Sequence, residues 1–196
     1  MRPIGAIVPA VALLALVLVS TACSWNGRFG SKSEGGADEP PCKTTQLRLS
    51  LGGEISPSSG MNPLAVRITN LGPPCTLRGY PAIFVHARHG RELPFVIARS
   101  GDQMVTDAPP VTVTLRRGAA AWIRLNNYRC DLGVRAMGRR LVIGVRTDAN
   151  RLSLALHPDR PRGDFMAYCG PGDPGSILHV SPFEPTEQAT SWVAGG

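Results

Sequence analysis

The sequence predicts an all-β fold, an antiparallel β-sandwich or barrel built from about eight or nine short strands. Three observations support this prediction. From Cys42 onward, short runs alternate apolar and polar residues with the two-residue period of a strand. The 22 glycines and 18 prolines among 196 residues supply turns between these runs. Helical periodicity over ten residues occurs only in the first segment of the chain, before Cys23.

The alternation defines the individual strands in order along the chain. In Gln46–Leu51 and Leu64–Asn70, every second residue is Leu, Val or Ile, so one face of each strand is apolar. Val111–Leu115 and Ala119–Leu125 repeat the pattern on either side of the turn Arg116-Arg117-Gly118. The remaining predicted strands are Ala82–His86, Leu93–Ile97, Leu141–Val145, Leu152–Leu156 and Leu178–Val180. A chain of this length can bury a core of useful size.

Residues 1–22 have the features of a secretory signal peptide. Arg2 supplies a positive charge, and Ala10–Val19 is a run of ten apolar residues. A membrane-spanning helix needs about 20 apolar residues, so this run is too short to span a bilayer. Small residues follow the run up to Ala22. The segment therefore predicts that the chain is exported from the cytoplasm.

The end of this segment, Thr21-Ala22-Cys23, resembles the cleavage site of a bacterial lipoprotein signal. That resemblance implies that Cys23 becomes the first residue and carries a lipid, which anchors the chain to the outer face of the cell membrane. Ser20 departs from the pattern, in which Leu, Val or Ile is more usual. The alternative is an ordinary signal peptide that is cleaved after Ala22 and leaves Cys23 as a free thiol.

The two ends of the mature chain are predicted to be loose. Residues 23–41 are rich in Gly, Ser, Pro and charged residues, and we expect them to form a flexible linker between the lipid and the domain. Residues 184–196 are mostly polar, and we expect a loose C-terminal tail there.

Four cysteines remain once Cys23 is assigned to the lipid. Export places them in an oxidising compartment, where disulfides persist. Four cysteines allow three pairings. We favour Cys42 with Cys75 and Cys130 with Cys169, because these pairs close local loops of 33 and 39 residues. Metal binding is the rival interpretation, but the sequence contains no closely spaced cysteine pair of the kind that zinc sites use, and no metal is expected.

Three groups of residues carry a family resemblance. The first is Ile68-Thr69-Asn70 followed by the string Cys75-Thr76-Leu77-Arg78-Gly79-Tyr80-Pro81. The others are Cys130 with Cys169-Gly170, and the ending Val180-Ser181-Pro182. Over residues 42–183 the chain resembles a family of actinobacterial exported domains of unknown function, DUF4232. The resemblance implies an antiparallel, Ig-like β-sandwich that is often lipid-anchored or tethered to a membrane and has no assigned activity.

The residues of this string also have structural explanations of their own. Gly79 permits a bend that a side chain would hinder. Tyr80 can bury its ring while its hydroxyl finds a backbone partner, and Pro81 fixes the entry into the next strand. Asn70 ends a strand and tolerates turn geometry. We therefore interpret the string as scaffold.

Catalytic motifs are sparse, and we predict that the chain is not an enzyme. No Gly-x-Ser-x-Gly elbow and no phosphate-binding loop is present, and no cofactor is expected. His86 and His89 would lie on opposite faces of a strand, so we expect surface histidines rather than a metal pair. The alternative is an envelope enzyme whose site is assembled from distant loops by His86, His157, Asp131 and Asp164.

Positive charge is the remaining feature of the sequence. The chain has 21 basic and 14 acidic residues, and removal of Arg2 with the signal leaves 20 against 14, a net charge of +6. One interpretation assigns the binding of anionic lipid headgroups or acidic envelope polymers to Arg116, Arg117, Arg139 and Arg140. The alternative is that these arginines are solvated residues of strands and turns in an arginine-rich chain.

These observations favour a non-catalytic binding module of the cell envelope. The domain would bind an envelope protein, glycan or lipid through its loops, while the lipid at Cys23 holds it at the membrane. Nucleic acid is not expected as a partner outside the membrane. The alternatives are the envelope enzyme described above and a structural or assembly factor.

Overall fold

The computed structural model describes residues 39–53, 60–145, 148–157 and 166–191, and it confirms the all-β fold. The described part contains thirteen β-strands, four single-turn 3-10 helices and no α-helix. None of these helices has the length and apolar character needed to cross a membrane. The predicted signal peptide (residues 1–22), Cys23 and most of the predicted linker lie outside the described residues.

The strands are short, and the second of them follows the predicted alternation closely. In the second strand, the predicted inward residues Leu64, Val66 and Ile68 are buried, whereas Arg67 is exposed. The strands are β1 (Leu47–Leu51), β2 (Leu64–Asn70), β3 (Cys75–Arg78), β4 (Ala82–His86), β5 (Glu92–Leu93), β6 (Val96–Ala98), β7 (Thr112–Leu115), β8 (Ala120–Asn126), β9 (Ala136–Met137), β10 (Arg140–Gly144), β11 (Arg151–Ala155), β12 (Ala167–Tyr168) and β13 (Ile177–Val180).

Five strands form the larger sheet, in the order β1-β2-β8-β13-β6. Neighbouring strands are antiparallel except β13 and β6, which are parallel. β2 and β8 pair over six residues, with Val66 opposite Ile123 and Ile68 opposite Ala121. All four of these side chains are fully buried. One face of this sheet therefore supplies much of the hydrophobic core.

Four antiparallel strands form the second sheet, in the order β11-β10-β4-β5. Two further strand pairs, β3 with β7 and β9 with β12, complete the described sheets. Buried residues from these sheets and pairs join in one hydrophobic cluster, which includes Phe183, Ile123, Leu115, Leu141 and Leu178. The core therefore lies between sheets, as in a β-sandwich.

The structure divides one predicted strand at a proline. The sequence predicts a single strand over Leu93–Ile97, whereas the structure has β5 and β6 on either side of Pro94 and Phe95. Pro94 has no N–H to donate to a ladder, and the N–H of Phe95 instead donates to the carbonyl of Leu93 at 2.8 Å. Because β5 and β6 belong to different sheets, this turn carries the chain from one sheet to the other.

Both predicted disulfides are present. Cys42–Cys75 and Cys130–Cys169 have Cα–Cα distances of 4.8 and 5.1 Å, within the usual range. The first joins the entry of the domain to the start of β3. The second joins the segment after β8 to the segment after β12.

The end of the predicted linker is more ordered than the sequence suggests. Pro40 accepts a hydrogen bond from the N–H of Thr76, and the carbonyl of Glu39 accepts one from the Thr76 hydroxyl. Pro41 forms a parallel bridge with the same residue. Residues 39–41 therefore belong to the domain, because they pair with β3.

The predicted loose tail is also packed over its first eight residues, Glu184–Ser191. Glu184 exchanges two backbone hydrogen bonds with Trp122 of β8, at 2.8 and 2.9 Å. Thr190 is fully buried, and its carbonyl accepts the N–H of Thr106 at 3.0 Å. The prediction was wrong here because the polar tail residues find hydrogen-bonding partners far away in the sequence, which composition does not reveal. We call Glu184–Ser191 the C-terminal strap.

Candidate functional site

A cleft of about 850 Å³ opens where β3 ends and β4 begins. Most of its lining belongs to, or directly follows, the Cys75–Pro81 string, so we call it the signature cleft. Its lining residues are Arg78, Gly79, Tyr80, Ala82, Arg99 and Pro110. The string that the sequence analysis interprets as scaffold therefore also forms the wall of a concave surface.

The bend between β3 and β4 depends on Gly79. Its φ of +82° lies in the left-handed region, which side chains rarely adopt, and a Cβ built there would meet no atom within 4 Å. The requirement for glycine therefore comes from the backbone and not from a lack of space. The carbonyl of Gly79 accepts the N–H of Phe183 at 2.9 Å, which fixes the bend against the core. Arg78, directly before the bend, is exposed.

Tyr80 joins the two sides of the cleft. Its hydroxyl donates a hydrogen bond to the carbonyl of Arg99 at 3.0 Å, which confirms the expected backbone partner. The guanidinium carbon of Arg99 lies 5.5 Å from the centre of the Tyr80 ring, within cation–π range. Arg99 follows β6 in the other sheet, so this pair links the turn before β4 to a distant loop.

The charge of the cleft is positive. Arg78 and Arg99 are both exposed, and none of the described residues that line the cleft is acidic. In the described part of the chain, no carboxylate forms an ion pair with either arginine. A guanidinium presents a planar fork of donors that matches carboxylate and phosphate groups. The cleft therefore combines two cations with one aromatic face.

Arg116 and Arg117, two of the four arginines predicted to bind anions, are not among the lining residues of the signature cleft. They are exposed in the turn between β7 and β8. The next residue, Gly118, donates its N–H to the carbonyl of Asn70 at the end of β2. Arg78 and this turn lie at opposite ends of the β3–β7 pair, because Arg78 is opposite Thr112 at the start of β7.

Arg139 and Arg140, the other two, lie at the start of β10 beside His86. The N–H of Arg139 donates to the carbonyl of His86, and Arg140 is opposite the same residue in the sheet. Asp148, which follows the far end of β10, accepts hydrogen bonds from Thr44 just before β1. The first residue of β1 lies opposite Asn70, which binds the β7–β8 turn. The far end of β10 is therefore the end that adjoins this turn. The two arginine pairs therefore sit at different ends of the sandwich, and an anion-binding role for them stays a prediction.

The residues of the alternative enzyme site are only partly described. Asp164 lies outside the described residues. His86 and His157 lie near the same end of the second sheet, where Arg139 connects their strands through backbone hydrogen bonds. Nε2 of His86 lies 3.9 Å from a carboxylate oxygen of Glu92 on the neighbouring strand. Asp131 follows Cys130 in an exposed loop.

One polar cluster was not predicted from the sequence. The carboxylate of Asp102, whose side chain is buried, accepts the N–H groups of Met104 and Val105 at 2.7 and 2.8 Å. Its second oxygen accepts the side-chain amide of Asn126 at 2.6 Å and lies 3.9 Å from Nδ1 of His179. One carboxylate oxygen of Asp102 binds backbone groups of the loop, and the other contacts side chains of β8 and β13. We therefore interpret Asp102 as the residue that fastens the 101–106 loop to these two strands.

Tyr128 completes this cluster. Its ring packs edge-on against His179, with the ring centres 6.0 Å apart. Burial raises the pKa of Tyr128, and the neighbouring Asp102 charge and hydrogen bond raise it further. The cluster members come from separate segments, so no spacing in the sequence could have indicated them. Among the described residues, no group of three His, Cys, Asp or Glu side chains is arranged to hold a metal ion.

The C-terminal strap covers a charged part of β8. The Arg124 side chain is buried and donates from Nε to the hydroxyl of Thr190 at 3.1 Å. Burial lowers the pKa of Arg124, while the nearby Glu187 opposes that shift. Glu187 also accepts the N–H of Gly53 at 3.1 Å. Glu184 is buried, and one of its carboxylate oxygens has no hydrogen-bonding partner in the described part of the chain.

Replacement of Glu184 by glutamine is expected to stabilise the fold at neutral pH. Burial raises the pKa of Glu184, so the folded chain binds this proton more tightly than the unfolded chain does. The cost of the charge is absent below the unfolded pKa and complete above the raised folded pKa. We expect Glu184→Gln to raise the free energy of unfolding by on the order of 1 kcal/mol at pH ~7.5 and much less at pH ~4.

Urea unfolding of the parent chain and of Glu184→Gln at both pH values measures the difference in the free energy of unfolding. The exposed Glu39 provides the matched control, because Glu39→Gln removes the same charge from water-accessible surface. An equal effect of Glu184→Gln at both pH values would show that the Glu184 carboxylate is not destabilised by burial.

The comparisons with known proteins identify one family. A family model described as "Domain of unknown function (DUF4232)" matches residues 42–183, which is well over half of the chain. The match begins at Cys42, the first cysteine of the Cys42–Cys75 disulfide, and ends at the core residue Phe183. No curated protein and no solved structure matches the chain.

Proposed function

The chain belongs to the DUF4232 family, and on that premise we propose that it is a membrane-anchored, extracytoplasmic lipoprotein with a non-catalytic binding role in the cell envelope. We propose that the signature cleft is its binding site and that the ligand carries a phosphate or carboxylate group of an envelope glycan or lipid. The observation that carries this proposal is the pair Arg78 and Arg99 in one cleft, beside the Tyr80 ring and with no acidic side chain among the described lining residues.

The sequence supports the anchored location. Residues 1–22 have the features of a signal peptide, and Cys23 follows the small residues expected before a lipid-modified cysteine. The chain that leaves Cys23 reaches the domain at Glu39–Pro41, which pairs with Thr76 on β3. The linker thus meets the domain two residues from Arg78, on the strand that leads into the cleft.

The chemistry of the cleft supports binding without catalysis. Its polar side chains are two guanidinium groups and the Tyr80 hydroxyl, which already donates to the carbonyl of Arg99. Arginine stays protonated in proteins, so it supplies hydrogen bonds and charge but not proton transfer. Among the lining residues that the structure describes, there is no Ser, Cys, His, Asp or Glu that could act as a nucleophile or general base.

Loss of both arginines from the cleft is expected to weaken binding of an anionic probe. The probes are a glycerol-phosphate oligomer and a galacturonate oligomer, which present phosphate and carboxylate groups separately. For Arg78→Gln/Arg99→Gln, we expect at least a tenfold rise in Kd for the probe that binds, because two charge-assisted hydrogen-bonding partners are lost. Isothermal titration calorimetry of the full exported chain in detergent gives these constants.

The matched control is Arg116→Gln/Arg117→Gln, which removes the same charge at the other end of the β3–β7 pair. We expect this variant to bind within about twofold of the parent chain, since it loses only long-range attraction. If the cleft variant binds both probes as the parent does, or if only the turn variant loses binding, the cleft is not the binding site.

The anchor makes a separate prediction. The mature chain in the membrane fraction is expected to begin at Cys23 and to carry acyl chains there. Intact-mass measurement followed by sequencing of the N-terminal peptide detects both features. A chain that begins at Cys23 without acyl chains would contradict the lipid anchor, and Cys23→Ala, which removes the acceptor thiol, provides the control for the assignment.

A further inference from the structure

We propose that the loop after Cys130 inserts an apolar tip into the surface of an anionic bilayer. The tip is Leu132-Gly133-Val134. This inference extends the proposed membrane location of the chain, but it concerns a surface that lies apart from the residues of the signature cleft. Three observations support it: the tip side chains are exposed, the base of the loop is held in place, and two arginines flank the tip.

Both aliphatic side chains of the tip are exposed, and Leu132 is the most exposed large hydrophobic residue in the described part of the chain. Leu132 is 82% exposed and Val134 is 55% exposed. Gly133 between them has a φ of +89°, and a Cβ built there would meet no atom within 4 Å. Single exposed aliphatic residues are common on protein surfaces, but here two of them flank a turn that stands clear of other atoms. The loop therefore presents apolar surface outward.

The base of this loop is held in place. The disulfide Cys130–Cys169 fixes one side. A carboxylate oxygen of the buried Asp173 accepts the N–H of Asp131 at 3.2 Å and of Leu132 at 3.3 Å. On the other side, the N–H of Arg135 donates to the carbonyl of Tyr168 at 2.9 Å. A loop that is already ordered loses little conformational entropy when its tip binds.

The charges beside the tip favour an anionic surface. Arg129 and Arg135 flank the loop, both are exposed, and neither forms an ion pair with a carboxylate in the described part of the chain. Asp131 lies in the same loop, so the seven residues 129–135 carry a net charge of +1, and the buried Asp173 carboxylate beneath them is directed at the N–H groups of Asp131, Leu132 and Gly175. Exposed aliphatic side chains between basic residues are typical of segments that lie in the interface of an anionic bilayer.

The small size of the tip favours a bilayer over a protein partner. A stable protein interface buries about 1,200–2,000 Å² in total, which two side chains cannot supply. Insertion into the headgroup region needs only the side chains themselves, and a linker already brings the domain near the membrane in the proposed function. The tip would then set the orientation of the domain on the bilayer.

The experiment uses the full exported chain on nanodiscs made from equal parts of phosphatidylglycerol and phosphatidylcholine. Some of the lipid carries a nitroxide in its acyl chain, which broadens the NMR signals of nearby amides. We expect the amides of Leu132, Gly133 and Val134 to lose more intensity than those of the exposed turn Arg116–Gly118. Leu132→Ser/Val134→Ser should abolish this excess loss, and both side chains are exposed, so the fold should be unchanged.

The experiment distinguishes a failure of the tip proposal from a failure of the lipid anchor. A chain that stays on the discs with a tip no more broadened than the Arg116–Gly118 turn contradicts the tip alone. A chain that does not remain with the discs contradicts both the tip and the anchor. Leu71→Ser, which removes an aliphatic side chain that is 48% exposed outside this loop, should leave the broadening of the tip unchanged. Equal loss of the excess broadening in Leu71→Ser and in the tip variant would show that the effect is not specific to the tip.

Discussion

Replacement of Asn70 by alanine is expected to lower the free energy of unfolding by about 3 kcal/mol. Asn70 is fully buried at the end of β2. Its amide nitrogen donates to the carbonyls of Pro73 and Leu115 at 2.8 and 2.9 Å, and its amide oxygen accepts the N–H of Gly72 at 2.9 Å. Alanine leaves the buried carbonyl of Leu115 and the N–H of Gly72 without this partner, whereas the carbonyl of Pro73 keeps the amide of Gln46, and an unpaired buried polar group is costly.

Urea unfolding of the full chain measures the effect, and two variants calibrate it. Asn70→Asp keeps an acceptor for Gly72 but cannot donate to Leu115, so its loss should be nearly as large. Asn150→Ala changes an exposed asparagine, and its backbone groups continue to bind Thr44 and Asp148. We expect a loss below about 0.5 kcal/mol for that control. An Asn70→Ala chain as stable as the control would contradict the structural role of Asn70.

Removal of the second disulfide is expected to have the largest effect on stability. Cys130→Ala/Cys169→Ala should lower the free energy of unfolding by about 4 kcal/mol, because the unfolded chain regains the freedom of a 39-residue loop. The pair also holds the base of the loop that carries the apolar tip. Amide hydrogen exchange in Asp131–Arg135 should therefore accelerate in this variant.

The first disulfide provides the comparison for this result. Cys42→Ala/Cys75→Ala opens a loop of 33 residues, for which the same chain-entropy model gives a loss of about 3–4 kcal/mol. That variant should leave the exchange of Asp131–Arg135 close to the parent chain's, since its cysteines lie in another part of the domain. Equal acceleration in both variants would show that the second disulfide does not hold this loop.

The parts of the fold that could be predicted from the sequence depend on local pattern. In β2 and β8 every second residue is apolar and buried, and such a pattern identifies both a strand and its core-facing side; these residues are Leu64, Val66 and Ile68 in β2, and Ala121, Ile123 and Leu125 in β8. The disulfide pairing also followed a local preference, because the two favoured pairs close the shorter loops. By contrast, β9 and β12 have two residues each, which is too few to show a period.

The candidate site depends on contacts between distant segments. Arg78, Gly79 and Tyr80 stand together in the sequence, but Arg99 reaches the same cleft only because Pro94 sends the chain into the other sheet. The buried strap residues Glu184 and Thr190 likewise pair with β8 and the 101–106 loop. Pairings between such distant segments leave no periodic signal, so the sequence could indicate the scaffold of the site but not its second arginine.

The proposed function depends on the binding of an anionic group by the signature cleft. The most direct test is to map the amide NMR shifts of the full exported chain, in detergent, on addition of the glycerol-phosphate or galacturonate oligomer. We predict saturable shifts centred on Gly79, Tyr80 and Arg99, which disappear in Arg78→Gln/Arg99→Gln. Shifts that instead centre on the Arg116–Gly118 turn or on Arg139 and Arg140, or no saturable shift with either oligomer, would contradict the claim.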